Sequence, residues 1–163
     1  FGFPVKGWAT ETAAKRKSPV PRQTITSLIY VSTARPGLDQ QDLLAIMSAA
    51  RRNNPRFGIT GPILFNGFNF MQCIEGDRAA TNDCLRRIER DDRHSGITII
   101  SHSELPNRQF TQWCMAGQSV PESPDLMETD IGGLLSRDSV SETTRTLFRS
   151  FLSFGIKAPD SEP

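Results

Sequence analysis

The sequence has few cysteines, little net charge and no long apolar run, and each absence narrows what the protein can be. Three cysteines in 163 residues, none in a C-x-x-C pair, predict buried free thiols in a reducing compartment. A formal net charge of +1 gives no bulk attraction to nucleic acid or to an anionic membrane. No run could span a bilayer, and the first residues lack the apolar core of a signal peptide. We therefore expect a cytoplasmic protein whose partners include neither nucleic acid nor membrane.

What the chain does contain is the pattern of one α+β domain over residues 24–117. Residues 24–32 are rich in Ile, Thr, Val and Tyr, which predicts a strand, and residues 39–53 show the spacing of a helix ended by Asn54 and Pro55. The later elements are predicted as strands 59–65 and 68–74 joined at Asn66-Gly67, a helix opening at Gly76-Asp77, and strands 97–102 and 112–116. The order β-α-β-β-α-β-β predicts a ferredoxin-like sheet with one added strand.

The segments on either side of this domain have a different composition. Residues 1–23 show no period, which predicts a flexible leader. Residues 118–163 are predicted as a linker followed by a C-terminal helical cap. In this cap, residues 125–135 form a short helix weakened by two glycines, and Ser141 caps a second helix. The apolar stripe of that second helix consists of Leu147, Phe148, Phe151 and Leu152.

Strand parity predicts that the sheet has two apolar faces. Side chains alternate along a strand, so Gln72 shares one face with Phe70 and Ile74, while Met71 and Cys73 lie on the other. The two helices of the ferredoxin-like unit can cover only one of these faces. We therefore expect the C-terminal stripe to cover the second.

Gln72 is the residue of this sheet that most needs an explanation. It stands in a run that otherwise reads as a buried strand, and a buried amide without partners costs a few kcal/mol. Gln72 must therefore meet either polar groups of the protein or a polar ligand held in the core. Polar and aromatic residues at fixed places in the other elements accompany it: Tyr30 with Ser32, Asn54 before Ile59-Thr60-Gly61, Cys73-Ile74-Glu75-Gly76 directly after Gln72, Arg93-His94, and Trp113-Cys114-Met115.

This ordered set of motifs closely resembles the BLUF domain, a blue-light sensor module that uses FAD. The resemblance implies that FAD lies between the two helices, bound without a covalent bond, and that the site contains no metal. It implies that Tyr30 is the electron and proton donor, that Gln72 is the hydrogen-bonding switch, and that Trp113 and Met115 pass the change onward. The cofactor-binding residues implied are Tyr30, Asn53, Asn54, Gln72, Arg87, Asp91, Arg93 and His94.

The resemblance also implies how the protein would act. The chain looks like a short single-domain BLUF protein, so we expect no enzymatic activity, a separate effector protein as partner, and a homo-oligomer. Pro62 departs from the family pattern, which usually has an aliphatic residue there. Because proline lacks a backbone donor, Pro62 is predicted at an edge, a bulge or a strand start.

Two other functions are compatible with a ferredoxin-like sheet. An acylphosphatase-like hydrolase would need an anion-binding loop, and the loop after the first strand offers Arg35 but no glycine-rich cradle. A single-stranded RNA module would need stacking aromatics with basic neighbours, which the first and third strands lack. Colour separates these alternatives, because a flavoprotein is yellow and both rivals are colourless.

Overall fold

The computed structural model describes residues 24–117 and 131–153, and within them a five-stranded sheet carries two helices on each face. The strands are β1 (Ile25–Ala34), β2 (Gly61–Phe65), β3 (Asn69–Gly76), β4 (His94–Leu105) and β5 (Trp113–Gly117). The helices are α1 (Gln40–Asn53), α2 (Arg78–Glu89), α3 (Ile131–Leu135) and α4 (Glu142–Ser153), and a 3-10 helix (Pro55–Phe57) follows α1. No helix among these residues is long and apolar enough to cross a membrane.

The strand order is β4-β1-β3-β2-β5, which confirms the predicted ferredoxin-like sheet with an added strand. The first four strands pair antiparallel, and β5 lies parallel to β2 at one edge. Tyr30 stands directly opposite Gln72 in the β1–β3 register, and Ile63 stands opposite Gln72 from β2. The topology thus places Gln72 on β3, the central strand of the sheet, between β1 and β2.

The predicted parity is confirmed on both faces. Helix α1 packs Leu43 and Met47 against Ile63, Phe65 and Phe70. Helix α2 packs Cys84 against neighbours that include Leu28, Tyr30 and Ile74. The opposite face, with Ile29, Leu64, Met71 and Cys73, is covered by Leu134, Leu135, Val140, Phe148 and Phe151 of the C-terminal segment.

Helix starts follow the local sequence. Asp39 and Asp42 form a reciprocal capping box at α1, and Asp77 caps α2 by accepting a hydrogen bond from the backbone N–H of Ala80. Ser141 caps α4 as predicted, with its hydroxyl accepting from the Thr144 N–H at 3.2 Å. The predicted leader, the linker up to residue 130 and the tail beyond residue 153 lie outside the described residues.

Local details of the chain reversals differ from the prediction. Asn54 ends α1 in a right-handed conformation (φ −60°), and the left-handed residue is Gly58 (φ 62°), which closes the 3-10 helix. The hairpin turn centres on Gly67-Phe68 instead of Asn66-Gly67, because Asn66 still pairs with Asn69. Strand β4 begins three residues earlier than predicted, at His94, since its pairing with β1 extends to the Ala34–His94 pair.

The apolar stripe of α4 is narrower than the sequence predicts. Leu152 is 41% exposed, so it does not belong to the core. Pro62 lies in an interruption of the β2–β3 ladder, which runs over Ile63–Phe65 and resumes only at the isolated Thr60–Glu75 bridge. This agrees with the expectation that a proline here occupies a strand start or an irregularity.

Candidate functional site

A pocket of about 250 Å³ opens between α1, α2 and the sheet. Its wall contains nine of the ten residues predicted from the sequence: Tyr30, Asn53, Asn54, Gln72, Arg87, Asp91, Arg93, His94 and Trp113. The tenth, Met115, pairs through its backbone with Ile63, and its side chain lies outside the described set. Residues from six elements and the loop after α2 thus converge on one cavity.

The centre of the pocket is a buried hydrogen bond between adjacent strands. The Tyr30 hydroxyl donates to Oε1 of Gln72 at 2.7 Å. Burial raises the pKa of Tyr30 well above its ordinary value, and the neighbouring Cys84 thiol and Asp91 carboxylate raise this pKa further. The phenol is therefore protonated and serves as the donor of this bond.

Two buried amides in the wall keep unused hydrogen-bonding capacity. Gln72 is 5% exposed and Asn54 is 6% exposed. Among the described residues, neither Nε2 of Gln72 nor the side-chain amide of Asn54 has a hydrogen-bond partner, and none of these atoms is sealed from the cavity. A buried amide is normally satisfied. The pocket thus presents donors and an acceptor that fit a flat ligand with polar edges.

Two contacts hold His94 in the pocket wall. Its Nδ1 lies 2.8 Å from the hydroxyl of Ser32, and its ring makes an edge-on contact with Phe70 at a centroid distance of 5.9 Å. Burial lowers the pKa of His94 and Arg93 lowers it further, while Asp91 and the Ile88 carbonyl oppose the shift. The net effect favours the neutral imidazole.

The charged residues of the wall form two contacts. Arg93 donates to Asp91 through Nε at 2.8 Å, and hydrogen bonding from Arg93 holds the pKa of Asp91 below its ordinary value. Arg87 of α2 lies over the ring of Phe57 in the 3-10 helix, at 4.5 Å from the ring centroid. Both cations remain on the wall, so the pocket can receive an anionic group.

Trp113 begins β5 and packs against the cluster that contains Ile63, Phe65 and Phe70. Its Nε1 is buried and has no partner among the residues described. The same side chain also lines a second groove beside the 3-10 helix and the β4–β5 loop. A movement of this indole would therefore change the second groove as well as the pocket.

Several wall residues were missed by sequence reasoning. On α1 these are Ile46, Ala49 and Ala50, and elsewhere they are Ile63, Phe70, Cys84 and Ile88. The positions of Ile46, Ala50 and Asn53 recur at helical spacing, a signal that could have identified this face. The helical pattern places Cys84 only on the apolar face of its helix, yet it lies in the pocket wall with its thiol near Tyr30.

Nothing in the described site favours the hydrolase alternative. Arg35, its proposed anion-binding residue, donates to Asp42 at 2.8 Å and is thereby paired with a carboxylate.

Taken together, the fold and the site define a ferredoxin-like α+β domain with a ligand pocket between its two helices and the sheet. A family model described as "BLUF: Sensors of blue-light using FAD" matches residues 25–116, more than half of the chain. The chain belongs to this family of blue-light sensors, and FAD is the family's cofactor. The unused amides of Gln72 and Asn54, beside the cations of the wall, fit such a molecule.

Curated relatives share this domain within longer proteins. The chain is 34% identical over 93 residues to "Photoactivated adenylate cyclase subunit beta" of Euglena gracilis, with 56% of this chain and 11% of that protein covered. It is 34% identical over 86 residues to "Blue light- and temperature-regulated antirepressor BluF" of Escherichia coli (strain K12), with 53% and 21% covered. The matched region thus spans a small part of these relatives.

Solved structures agree with the assignment. The dark-state structure of BlrB, described as a BLUF protein, matches with a TM-score of 0.59 at 33% identity, covering 79% of this chain and 98% of that one. A complex of Klebsiella pneumoniae BlrP1 with calcium and cy-diGMP matches with a TM-score of 0.66 at 28% identity, covering 80% of this chain and 34% of that one.

Proposed function

We propose that this protein is a photoreceptor in which Tyr30 and Gln72 are the photoactive pair. The observation that carries the proposal is the 2.7 Å hydrogen bond from the Tyr30 hydroxyl to Oε1 of Gln72, in a wall where Nε2 of Gln72 is open to a ligand. FAD, when bound, supplies the chromophore that absorbs blue light and accepts an electron.

Tyr30 would give up an electron to the bound cofactor, and its phenolic proton would move along the existing hydrogen bond to Oε1 of Gln72. The protonated amide would then rotate or tautomerise. When the electron and the proton have both returned to Tyr30, the phenol and the amide would be neutral again, and Gln72 in its rotated or tautomeric form would donate a stronger hydrogen bond to the polar edge of the ring. That stronger bond shifts the absorption to the red.

The remaining wall residues are proposed to bind and orient the cofactor. Asn54, and beside it Asn53, hold the polar edge of the ring. Arg87, Arg93 and His94 contact the ring edge, the ribityl chain or the phosphates. Asp91 acts through Arg93, because its carboxylate is already paired with that guanidinium.

The output is proposed to leave through β5. Trp113 lies in the pocket wall and Met115 follows on the same strand, while α3 and α4 cover the opposite face of the sheet. The chain itself is proposed to be non-enzymatic and to act on a separate effector protein. The names of the relatives support the coarser point that such a domain serves different outputs, a cyclase in one relative and an antirepressor in another.

We also propose that the protein is a homo-oligomer. Strand β4 forms an edge of the sheet and leaves Ile99 and Ile100 exposed, which supports a contact between copies. Light scattering on the purified protein tests this directly, and a strictly monomeric mass across the working concentration range would contradict it.

The test of the proposed function is an absorption spectrum recorded in the dark and after blue light. We expect a yellow protein whose flavin band shifts reversibly to longer wavelength. A colourless protein, or a flavin whose band does not shift, would contradict the proposal.

A further inference from the structure

A fully buried carboxylate lies on the sheet face opposite the pocket. Glu75 of β3 is 0% exposed and stands three residues after Gln72, so it points away from the pocket. Its Oε2 accepts hydrogen bonds from the backbone N–H groups of Gln109 at 2.9 Å and Phe110 at 3.0 Å. Its Oε1 accepts one from Nε2 of Gln109 at 3.0 Å. A buried carboxylate needs such donors, so the β4–β5 loop is bound tightly to the end of β3.

Gln109 connects this carboxylate to the C-terminal helices. The side-chain carbonyl of Gln109 accepts from the backbone N–H of Ser141 at 2.7 Å, and its backbone carbonyl accepts from the Ser139 hydroxyl at 2.8 Å. Ser141 is the residue that caps α4. A single buried amide therefore bonds the sheet on one side and the start of α4 on the other.

The same loop is also bonded to the sheet beside the pocket and leads directly to Trp113. Arg108 donates to the backbone carbonyl of Glu75 at 2.6 Å and to the Thr60 hydroxyl at 2.8 Å. The carbonyl of Gln112, at the far end of the loop, accepts from the Gly61 N–H at 3.0 Å, and Trp113 follows it in the pocket wall. The loop is thus fastened to the sheet at both ends, with Gln109 four residues before the indole that borders the cofactor.

We infer that Gln109 is a positioning residue that couples the pocket to helix α4. A displacement of Trp113 moves the loop, and Gln109 transmits that movement because its amide is bonded to both Glu75 and the Ser141 N–H. The start of α4 then loosens on the sheet when the pocket changes state. This inference rests on the proposed photoreceptor function and adds the residue through which the output passes.

The experiment is hydrogen exchange on the full FAD-loaded chain, in the dark and under blue light, with the absorption spectrum recorded on the same sample. In the unaltered protein we expect light to change exchange of the amides in residues 141–153 by roughly fivefold or more, the lower end of ordinary coupling between sites. Gln109→Met keeps side-chain length and volume but removes both side-chain hydrogen-bonding groups. It should retain the red shift and lose the difference in exchange between light and dark.

Ser139→Ala is the matched control. It removes one hydrogen bond between the same two segments but leaves the Gln109 amide intact, so its light-dependent difference should persist. A purely structural role would instead raise exchange equally in dark and light for Gln109→Met. If that variant does not fold, Gln109→Asn retains an amide but is one methylene too short to reach both partners, and the same loss is expected.

Each result is decisive. If Gln109→Met, or in its place Gln109→Asn, keeps the light-dependent difference, the inference is wrong. It is also wrong if the unaltered protein shows the red shift but identical exchange over residues 141–153. If the unaltered protein shows no red shift, the proposed function itself fails and the inference falls with it, and the spectrum distinguishes this case from the others.

Discussion

At the scale of single residues, the pocket depends on a few polar side chains whose environment sets their chemistry. The buried phenol of Tyr30 stays protonated and donates to Gln72, and burial keeps His94 biased towards its neutral form. These properties could not be read from the residues alone, because a tyrosine or a histidine has an ordinary pKa until its surroundings change it. They lead to two predictions.

The first prediction concerns Tyr30, the one tyrosine in the sequence. Tyr30→Phe preserves the ring that packs in the core and removes only the hydroxyl, so flavin binding should persist while the reversible red shift is lost. Absorption spectra before and after blue light measure both properties. The double variant Tyr30→Phe with Phe68→Tyr is the control, because it returns a phenol at an exposed position. A red shift in either variant would show that the phenol at Tyr30 is not the donor.

The second prediction concerns pH. A histidine whose pKa is lowered by folding stabilises the protein fully above its unfolded pKa of about 6.5, and that contribution is lost as pH falls through 6.5 towards the lower folded value. The free energy of unfolding of the unaltered protein should therefore fall more between pH 7.5 and 5.5 than that of His94→Asn. Urea unfolding of flavin-free protein measures this, since bound ligand adds its own contribution.

The exposed His102 provides the comparison for this experiment. His102→Asn makes the same substitution at the other histidine of the sequence and shows what a change from histidine to asparagine does by itself at an exposed position. If the free energy of unfolding depends equally on pH in the unaltered protein and in His94→Asn, protonation of His94 does not destabilise the folded protein.

At the scale of secondary-structure elements, helix α4 is the cover of the second sheet face. Phe148 of this helix is completely buried, and its ring contacts that of Phe110 in the β4–β5 loop at a centroid distance of 6.4 Å. Leu152 on the same helix is exposed. The apolar stripe predicted from the sequence includes both residues. Helical periodicity marks a face only to within a residue at its margin, and the packing of the helix on the sheet decides which of those residues are buried.

The third prediction uses this pair. Phe148→Ala should lower the free energy of unfolding by about 3–5 kcal/mol, the usual cost of removing a large buried aromatic side chain. Leu152→Ala removes a similar apolar group from the exposed margin and should change stability by only about 0.5 kcal/mol. Denaturant unfolding followed by circular dichroism measures both. Equal losses in the two variants would mean that α4 does not pack through the face described.

At the scale of the whole molecule, the sheet separates the pocket from the C-terminal cover. The cofactor pocket lies with α1 and α2 on one face, and α3 and α4 occupy the other, so a signal must cross the sheet or travel around its end. The β4–β5 loop connects the two, because its Phe110 packs against Phe148 of the cover and the loop leads directly to Trp113 in the pocket wall. This arrangement also determines which cysteines can meet the flavin: Cys73 faces the C-terminal cover, but Cys84 lies in the pocket wall.

The fourth prediction is that FAD is nevertheless bound without a covalent bond, one molecule per chain. Burial raises the pKa of the Cys84 thiol, which leaves little of the reactive thiolate. Denaturation followed by filtration should therefore release all of the flavin, in amounts equal to the protein. Flavin retained on the chain would contradict this, and its loss from Cys84→Ala would identify the attachment site.

The sequence by itself determined the order and type of the elements, the two faces of each strand and most of the pocket wall. Periodicity and capping are local properties, so the alternation of side chains separates Gln72, Tyr30 and Trp113 from their neighbours in each strand. That these three residues meet at one pocket, and which residues form most of its wall, was implied by the resemblance to the BLUF family. Only the tertiary structure decided the contacts between distant segments. The approach of Cys84 to Tyr30, the pairing of His94 with Ser32 and the junction of Gln109 with Glu75 and Ser141 all join residues with no shared local pattern. Such partners are selected by how the helices pack on the sheet, and no local pattern along the chain specifies that packing.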